Sequence, residues 1–300
     1  MKKVLSVLFV LGTVFSANAL FEPVFVGGKY VGLGGANIVE VQDPYAMVYN
    51  PAGLSYIDGI SVSVSYSEPF GTPGMNLINA NLAGNLVDIL QLGVNVSYYG
   101  ADLNSTSGLR YLVVGVGVGR SFSLSDVISF VDDLRVGLSA KGLMISLAGY
   151  ELDTSVNGSK MGFSADAGVG VSLMKEFLKV GVVGYNLVPN SFSFFSDSTN
   201  VTEVYSAVKF GVSVYLVRPY MKIFGAYGMG LNSASPSSLS VGTELSYADT
   251  IFTRIGLNEG KLTMGLGIKA PNFEINFGVQ NRDNLGWYYQ IDLVSSVKLF

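Results

Sequence analysis

From Ile60 onward, apolar and polar residues alternate along the chain. Ile60, Val62, Val64 and Tyr66 are separated by Ser61, Ser63 and Ser65, and Leu90, Leu92, Val94, Val96 and Tyr98 by Gln91, Gly93, Asn95 and Ser97. A repeat of two is that of a strand with one apolar face. The pattern recurs in Phe163 to Leu173, in Leu239 to Tyr247, in Leu262 to Ile268 and in Phe273 to Val279, and no helical template fits these segments. Marking the runs and the turn residues between them predicts fourteen strands, near 60–67, 76–83, 89–99, 109–119, 134–147, 161–173, 177–186, 203–217, 219–228, 237–247, 250–257, 261–269, 272–280 and 287–299. Most have about the 9–11 residues that a tilted strand needs to cross a bilayer. Connections such as Asn258-Glu259-Gly260 and Ala270-Pro271 are short, as between antiparallel neighbours. The longer polar stretches, near 102–108, 153–160 and 190–200, are expected as loops on one side.

A soluble sandwich and a membrane barrel share this alternation, and the residue types on each face separate them. A sandwich would show water a charged face and pack bulky aromatics at mid-strand. Here the polar face is mostly Gly, Ser, Asn and Thr. The apolar face is Val, Leu, Ile and Ala at mid-strand, with Tyr66, Tyr98, Tyr99, Tyr150, Tyr247, Trp287 and Tyr288 at strand ends. That distribution predicts an all-β, transmembrane antiparallel β-barrel of about fourteen strands, with aromatic girdles at the lipid boundaries. The apolar set of the last strand (Tyr289, Ile291, Leu293, Val297, Leu299) has odd numbering, so the terminal Phe300, usual in bacterial outer-membrane barrels, is out of phase with it.

Composition narrows the function. Of 300 residues, 49% are hydrophobic and only 13% charged, with 37 glycines, which suits neither a disordered chain nor an ordinary soluble domain. Histidine and cysteine are absent, so thiolate or imidazole metal sites, and catalysis that depends on either residue, are excluded. No catalytic residue, metal site or cofactor is expected. The charge of −4, or −6 once Lys2 and Lys3 are removed, argues against a nucleic-acid partner. Residues 1–19 read as a signal peptide: a basic start, an apolar stretch too short to span a bilayer, and Ala17-Asn18-Ala19 as the cleavage site, so that the mature chain begins at Leu20.

Residues 20–59 have another texture: the Gly-rich run containing Gly32, Gly34 and Gly35, then Asp43-Pro44, then Asn50-Pro51-Ala52-Gly53-Leu54. Asp43 and Asn50 are good N-caps, each followed by the residue favoured at the first helical position. Two short helical turns are therefore expected, the second stopping near Gly53. A barrel of about fourteen strands is too wide for side chains alone to fill. The division is then a hatch over 20–59 inside a barrel over 60–300. This combination resembles the N-terminal hatch of the FadL-type outer-membrane transporters and their PorV-like relatives. The resemblance implies a fourteen-stranded barrel in the outer membrane with the hatch folded inside, passing hydrophobic small molecules such as fatty acids. It also offers an alternative, a non-transporting anchor or docking platform for an exported protein partner. The chain is smaller than typical fatty acid transporters of that family and its loops are short.

Charges on the polar face (Arg135, Lys141, Asp166, Lys179, Lys209, Lys222, Glu244, Arg254, Lys261, Lys269 and Glu274) point into the lumen of such a barrel. Their mixed signs predict ion pairs that hold the hatch, since close opposite charges pair where water is scarce. Other motifs carry less. Gly115-Val116-Gly117-Val118-Gly119 lies inside a strand with no following helix, so it is read as glycine facing a crowded lumen rather than a nucleotide loop. Asp132-Asp133 lacks a calcium-loop continuation. The partners implied are the lipid bilayer and a hydrophobic ligand.

Overall fold

The computed structural model describes residues 25–69, 74–87, 90–102, 108–148, 158–193, 201–232, 235–282 and 286–298. The expected signal peptide, its cleavage site at Ala19-Leu20, Tyr150 and Phe300 lie outside them. Fourteen strands form one closed antiparallel barrel: β1 (Ile60–Ser67), β2 (Met75–Val87), β3 (Leu90–Asp102), β4 (Gly108–Ser123), β5 (Val131–Ala148), β6 (Gly158–Leu173), β7 (Leu178–Tyr185), β10 (Ala207–Val217), β11 (Met221–Gly230), β12 (Ser238–Tyr247), β13 (Ile251–Asn258), β14 (Lys261–Ala270), β15 (Phe273–Asn281) and β16 (Trp287–Val297). Two further short strands, β8 (Ser191–Ser193) and β9 (Val201–Glu203), pair with each other outside the ring. Closure is made by β1 against β16, with Ile60 opposite Val297 and Val64 opposite Leu293. Every wall strand thus has two neighbours, which satisfies the backbone without water.

The expected strand over 203–217 begins only at Ala207, because Glu203 pairs with Ser191 in the small hairpin. The wall is also uneven in height. β4, β5 and β6 run 16, 18 and 16 residues, whereas β1, β7 and β13 run 8. The connections after β1, β3, β5, β7, β11, β13 and β15 lie at one end, called the loop end below. The start of β1 and the end of β16 mark the other, the terminal end.

Alternation decides which way each residue faces. On β1, Val62, Val64 and Tyr66 are exposed, while Ser61, Ser63 and Ser65 are buried; on β16, Trp287, Tyr289, Ile291 and Leu293 are exposed, while Gln290 and Asp292 are buried. The exposed set forms an apolar outer wall, and no helix among the described residues is long and apolar enough to cross a membrane. A closed barrel with such an exterior is the architecture of an outer-membrane protein. Two girdle expectations fail. Tyr99 and Tyr288 face inward, because each follows an outward residue by one position; Tyr288 is buried and its hydroxyl donates to the Phe25 carbonyl at 3.0 Å. Leu266, near the middle of β14, faces outward. Leu266→Arg is expected to destabilise the barrel by about 2–4 kcal/mol in bilayers. Denaturant unfolding in liposomes measures it, and a cost near zero would show that this wall does not meet hydrocarbon.

Phe25 to Gly59 occupies the interior. It contains α1 (Gly28–Gly32), α2 (Ala46–Tyr49) and a 3-10 turn (Pro51–Tyr56). Helix α1 lies against β14, β15 and β16, whereas the 3-10 turn lies against β4, β5 and β6, so the segment reaches walls on different sides of the ring. Its helical turns depart from expectation in two ways. α1 forms within the Gly-rich run, where backbone packing against the wall replaces side-chain propensity. The last turn continues through Gly53 to Tyr56, because Gly53 is there for closeness to the Val41 carbonyl rather than as a stop.

Candidate functional site

Asn50 caps its turn as expected, whereas Asp43 does not cap α2, which begins after Tyr45 with no side-chain cap. Asn50 Oδ1 accepts from the Ala52 amide at 3.0 Å, with Pro51 following, and Asn50 Nδ2 donates to the Ile38 carbonyl at 2.9 Å. Asp43 Oδ1 accepts from the Tyr45 amide at 3.0 Å, so it shapes the turn containing Pro44 that leads into α2. Its Oδ2 accepts from the Tyr30 hydroxyl at 2.7 Å and from Lys29 at 3.5 Å. Burial nonetheless outweighs these contacts and raises the Asp43 pKa above the ordinary carboxylate value. Gly34 and Gly35 turn the chain with φ of +63° and +70°, a region that favours glycine. Gly32 touches the wall, where its carbonyl accepts from the Thr263 hydroxyl at 3.0 Å.

Wall glycines stand where the inner segment presses. A Cβ on Gly117 would lie 2.6 Å from Met47 Sδ, and one on Gly119 would lie 2.8 Å from Leu54 Cβ. The glycine run of β4 therefore gives room to the chain inside, as its sequence context predicts.

The lumen charges gather into groups. Glu40 is the centre of one: Lys222 Nζ donates to its Oε1 at 2.6 Å, Lys179 Nζ to the same atom at 3.2 Å, and the Ser213 hydroxyl to its Oε2 at 2.9 Å. Burial alone would raise the Glu40 pKa; the two ammonium groups and the hydrogen bonds override it and lower the carboxyl from 4.5 to about 2. Arg254 makes the second group, donating to Glu244 at 2.7 Å, Asn276 at 2.6 Å and Glu274 at 3.4 Å, and Asn276 in turn donates to Asp292 at 2.9 Å. Lys141 pairs with Asp166 at 2.7 Å, and Arg135 with Asp133 at 2.5 Å. The Tyr56 ring lies between Arg135 and Lys179, 4.2 and 5.1 Å from its centroid. Lys209 lies beside the rings of Phe25 and Tyr185. Lys261 and Lys269 stand at opposite ends of β14, and Lys269 is exposed. Glu40, Asp133 and Asp292 are the carboxylates of these groups that the sequence reading missed. Glu40 could have been found as the lone carboxylate in Ile38-Val39-Glu40-Val41, inside a segment facing a wall with several lysines.

Toward the loop end, the inner face of β4 and β5 changes character. Leu109, Leu143 and Ile145 are buried together with Phe192 of β8 and Val204, and Tyr111, Val113 and Leu147 pack against them. All the wall members are odd-numbered, the same parity as inward-facing Gly115, Gly117, Ser139 and Lys141, so this apolar patch belongs to the lumen. Tyr99 joins it to the inner segment, its ring 5.7 Å from that of Tyr111. The signal in the sequence is where alternation breaks down, in Tyr111-Leu112-Val113-Val114 and Leu143-Met144-Ile145. A strand that is apolar on both faces has lipid on one side and something equally apolar on the other.

Fold and interior together define a class: a closed transmembrane barrel whose bore is occupied by its own leading chain, with an apolar patch inside its taller wall. No protein-family profile matches the sequence, and no curated protein matches it. Among solved structures, the CymD monoaromatic hydrocarbon channel is similar with a TM-score of 0.66 at 12% identity, over 93% of this chain and 100% of that one. The P. putida toluene transporter TodX gives 0.60 at 12% identity, over 91% and 99%. A Pseudomonas aeruginosa FadL homologue gives 0.56 at 11% identity, over 91% and 99%. At these identities the likeness is one of fold, and the fold is that of the FadL-type hydrophobic-compound channels.

Proposed function

We propose that the protein is a FadL-type outer-membrane channel, not an enzyme, through which small hydrophobic molecules cross passively, with residues 25–59 serving as the hatch. The apolar, lumen-facing patch around Leu143 and Ile145 carries this reading. It is an apolar surface at the loop end, beside the inner segment and covered by Phe192 and Val204, and a greasy solute that displaces this cover gains from leaving water. The hatch stops bulk diffusion, and a small shift of it passes the ligand on. The likeness in fold to a monoaromatic hydrocarbon channel and to a toluene transporter supports compact aromatic hydrocarbons as ligands beside the fatty acids that the family resemblance implies. The docking-platform alternative gains no support from these comparisons.

Uptake of toluene and of a labelled fatty acid into proteoliposomes tests the reading. Ile145→Asp puts a carboxylate into the patch and is expected to lower uptake at least tenfold while the barrel still folds. Wild-type rates equal to those of protein-free vesicles would refute transport.

A further inference from the structure

We propose a second, polar path through the barrel for water and small hydrated ions, running along the inner faces of β11, β12 and β13 and closed at one neck by the Leu33 turn of the inner segment. The ligand class follows from the lining. Inward-facing residues of β12 are Ser238, Ser240, Gly242, Glu244 and Ser246, with Asn258, Gly256 and Arg254 beside them on β13. These side chains include no large hydrocarbon, in contrast to the patch on β4 and β5, which lies nearly across the ring; the inward Phe224 of β11 and Phe252 of β13 are the exceptions in the lane.

Two cavities open on this lane, each of about 50 Å³, space for a water or two. The one at the loop end is bounded by Lys209, Ser238, Asn258 and Arg282. The one at the terminal end is bounded by Tyr215, Lys222, Glu244 and Ser246. Both carry charged, amide or hydroxyl groups, beside the rings of Phe25 and Tyr205 in the first and of Tyr215, Tyr220 and Phe252 in the second, and these polar groups can keep a small ion hydrated.

Between the cavities the Leu33 turn meets the wall through its backbone, beside the Phe224 ring and the buried Arg254–Glu244 pair. A Cβ on Gly242 would lie 2.6 Å from the Leu33 carbonyl oxygen, and one on Gly256 would lie 2.7 Å from the Leu33 carbonyl carbon. The Leu33 side chain is fully buried against Ala36 and Phe224, which seats the turn in the lane. Gly34 and Gly35 follow with positive φ, so the stopper is a short turn of low side-chain mass rather than a packed helix. Glu40 ties the segment just beyond it to Lys222 at the edge of the lower cavity. The inference does not depend on hydrophobic transport, because the two surfaces are separate.

The natural chain has no cysteine, so single thiols report cleanly. In planar bilayers, Leu33→Ala is expected to raise ion conductance several-fold over the parent. A charged methanethiosulfonate reagent acting on Ser240→Cys or Ser246→Cys in that background is expected to reduce the current by at least half. Ser246 lies at the mouth, so its variant serves if Ser240→Cys disturbs the hydrogen bond to Asn258, and a heat-modifiable gel shift verifies the closed barrel. The same reagent on Leu143→Cys is expected to change hydrocarbon uptake and leave the current alone. Absence of conductance in Leu33→Ala, or current insensitive to both lane thiols, or current blocked from Leu143→Cys, would overturn the proposal. Loss of hydrocarbon uptake with the lane results intact would instead overturn only the transport reading.

Discussion

Glu40→Ala is expected to undock the inner segment from the wall while leaving the barrel closed. Its removal leaves the Lys179 ammonium, 2% exposed, without its lumen partner and with the longer Glu176 contact at 3.6 Å. Lys222 is 17% exposed and turns to water more easily. Breaking a buried pair by deleting one partner typically costs about 3–5 kcal/mol, because the surviving charge remains desolvated. At about 1.4 kcal/mol per tenfold, the docked-to-undocked ratio should fall more than a hundredfold. Faster tryptic cleavage at Lys29 and larger bilayer conductance are the measurements. The variant Glu40→Leu with Lys179→Met and Lys222→Met removes Glu40 and both of its ammonium partners together, leaves the exposed Glu176 to water, and is expected to recover protection, since apolar replacement of a whole buried network is often neutral. Failure of the triple variant to recover would mean that Glu40 acts through shape and not through charge.

The same group makes a prediction in pH. Its folded pKa is lowered, so its contribution to docking is fully present above the ordinary value of 4.5 and is lost as pH falls toward about 2. Asp43, raised by burial, works in the opposite sense, its burial penalty easing on protonation. Docking held by Glu40 should therefore persist through mild acidification and fade only at strongly acid pH.

The wall was legible because its period is enforced twice. Lipid selects one face of each strand and the bore selects the other, so a slip of one residue would expose Ser63 to acyl chains and bury Val64 against polar groups. Strand ends were less legible where the environment is no longer two-sided. β4 and β5 continue past the expected limits at the terminal end, where Ser121, Phe122 and Ser123 pair with Arg135, Leu134 and Asp133, and the start of β10 was misplaced because Glu203 satisfies its backbone in the small hairpin instead. Inside the bore, the chain is specified by contacts with distant strands. Asn50 could be read as a cap from its local chemistry, whereas Asp43 caps no helix and instead bonds the Tyr45 amide within a turn. Nothing local in Gly28–Gly32 announces a helix, and nothing local in Glu40 announces Lys222, 182 residues away. The partner that sequence reasoning assigned to the lumen lysines was a generic hatch; the atom that meets them depends on how the whole segment folds.

Gly137→Val is expected to expel the 3-10 turn from the bore and to do so without weakening the wall. Gly137 sits mid-strand on β5 facing inward, and a side chain there would occupy the space of the Pro51 carbonyl and the Ala52 amide. Those are backbone atoms of a turn capped by Asn50, so no rotamer change relieves the overlap. Overpacking usually costs about 1–3 kcal/mol when neighbours can shift, and here the relief available is withdrawal of the segment itself. The strand, by contrast, gains a β-branched residue in place of glycine, which favours extended backbone. The matched control is Gly142→Val on the same strand, where an added Cβ would meet only the Val114 carbonyl oxygen, at 3.9 Å, and the inner segment should stay protected. Hydrogen exchange of the Ala52 amide, now held by Asn50, separates the two: rapid in the first variant and slow in the second, with both barrels showing the same resistance to heat and detergent. Slow exchange in Gly137→Val would mean that the turn does not rest on β5, and the account of why the wall strands carry glycine where the inner chain presses would fail with it.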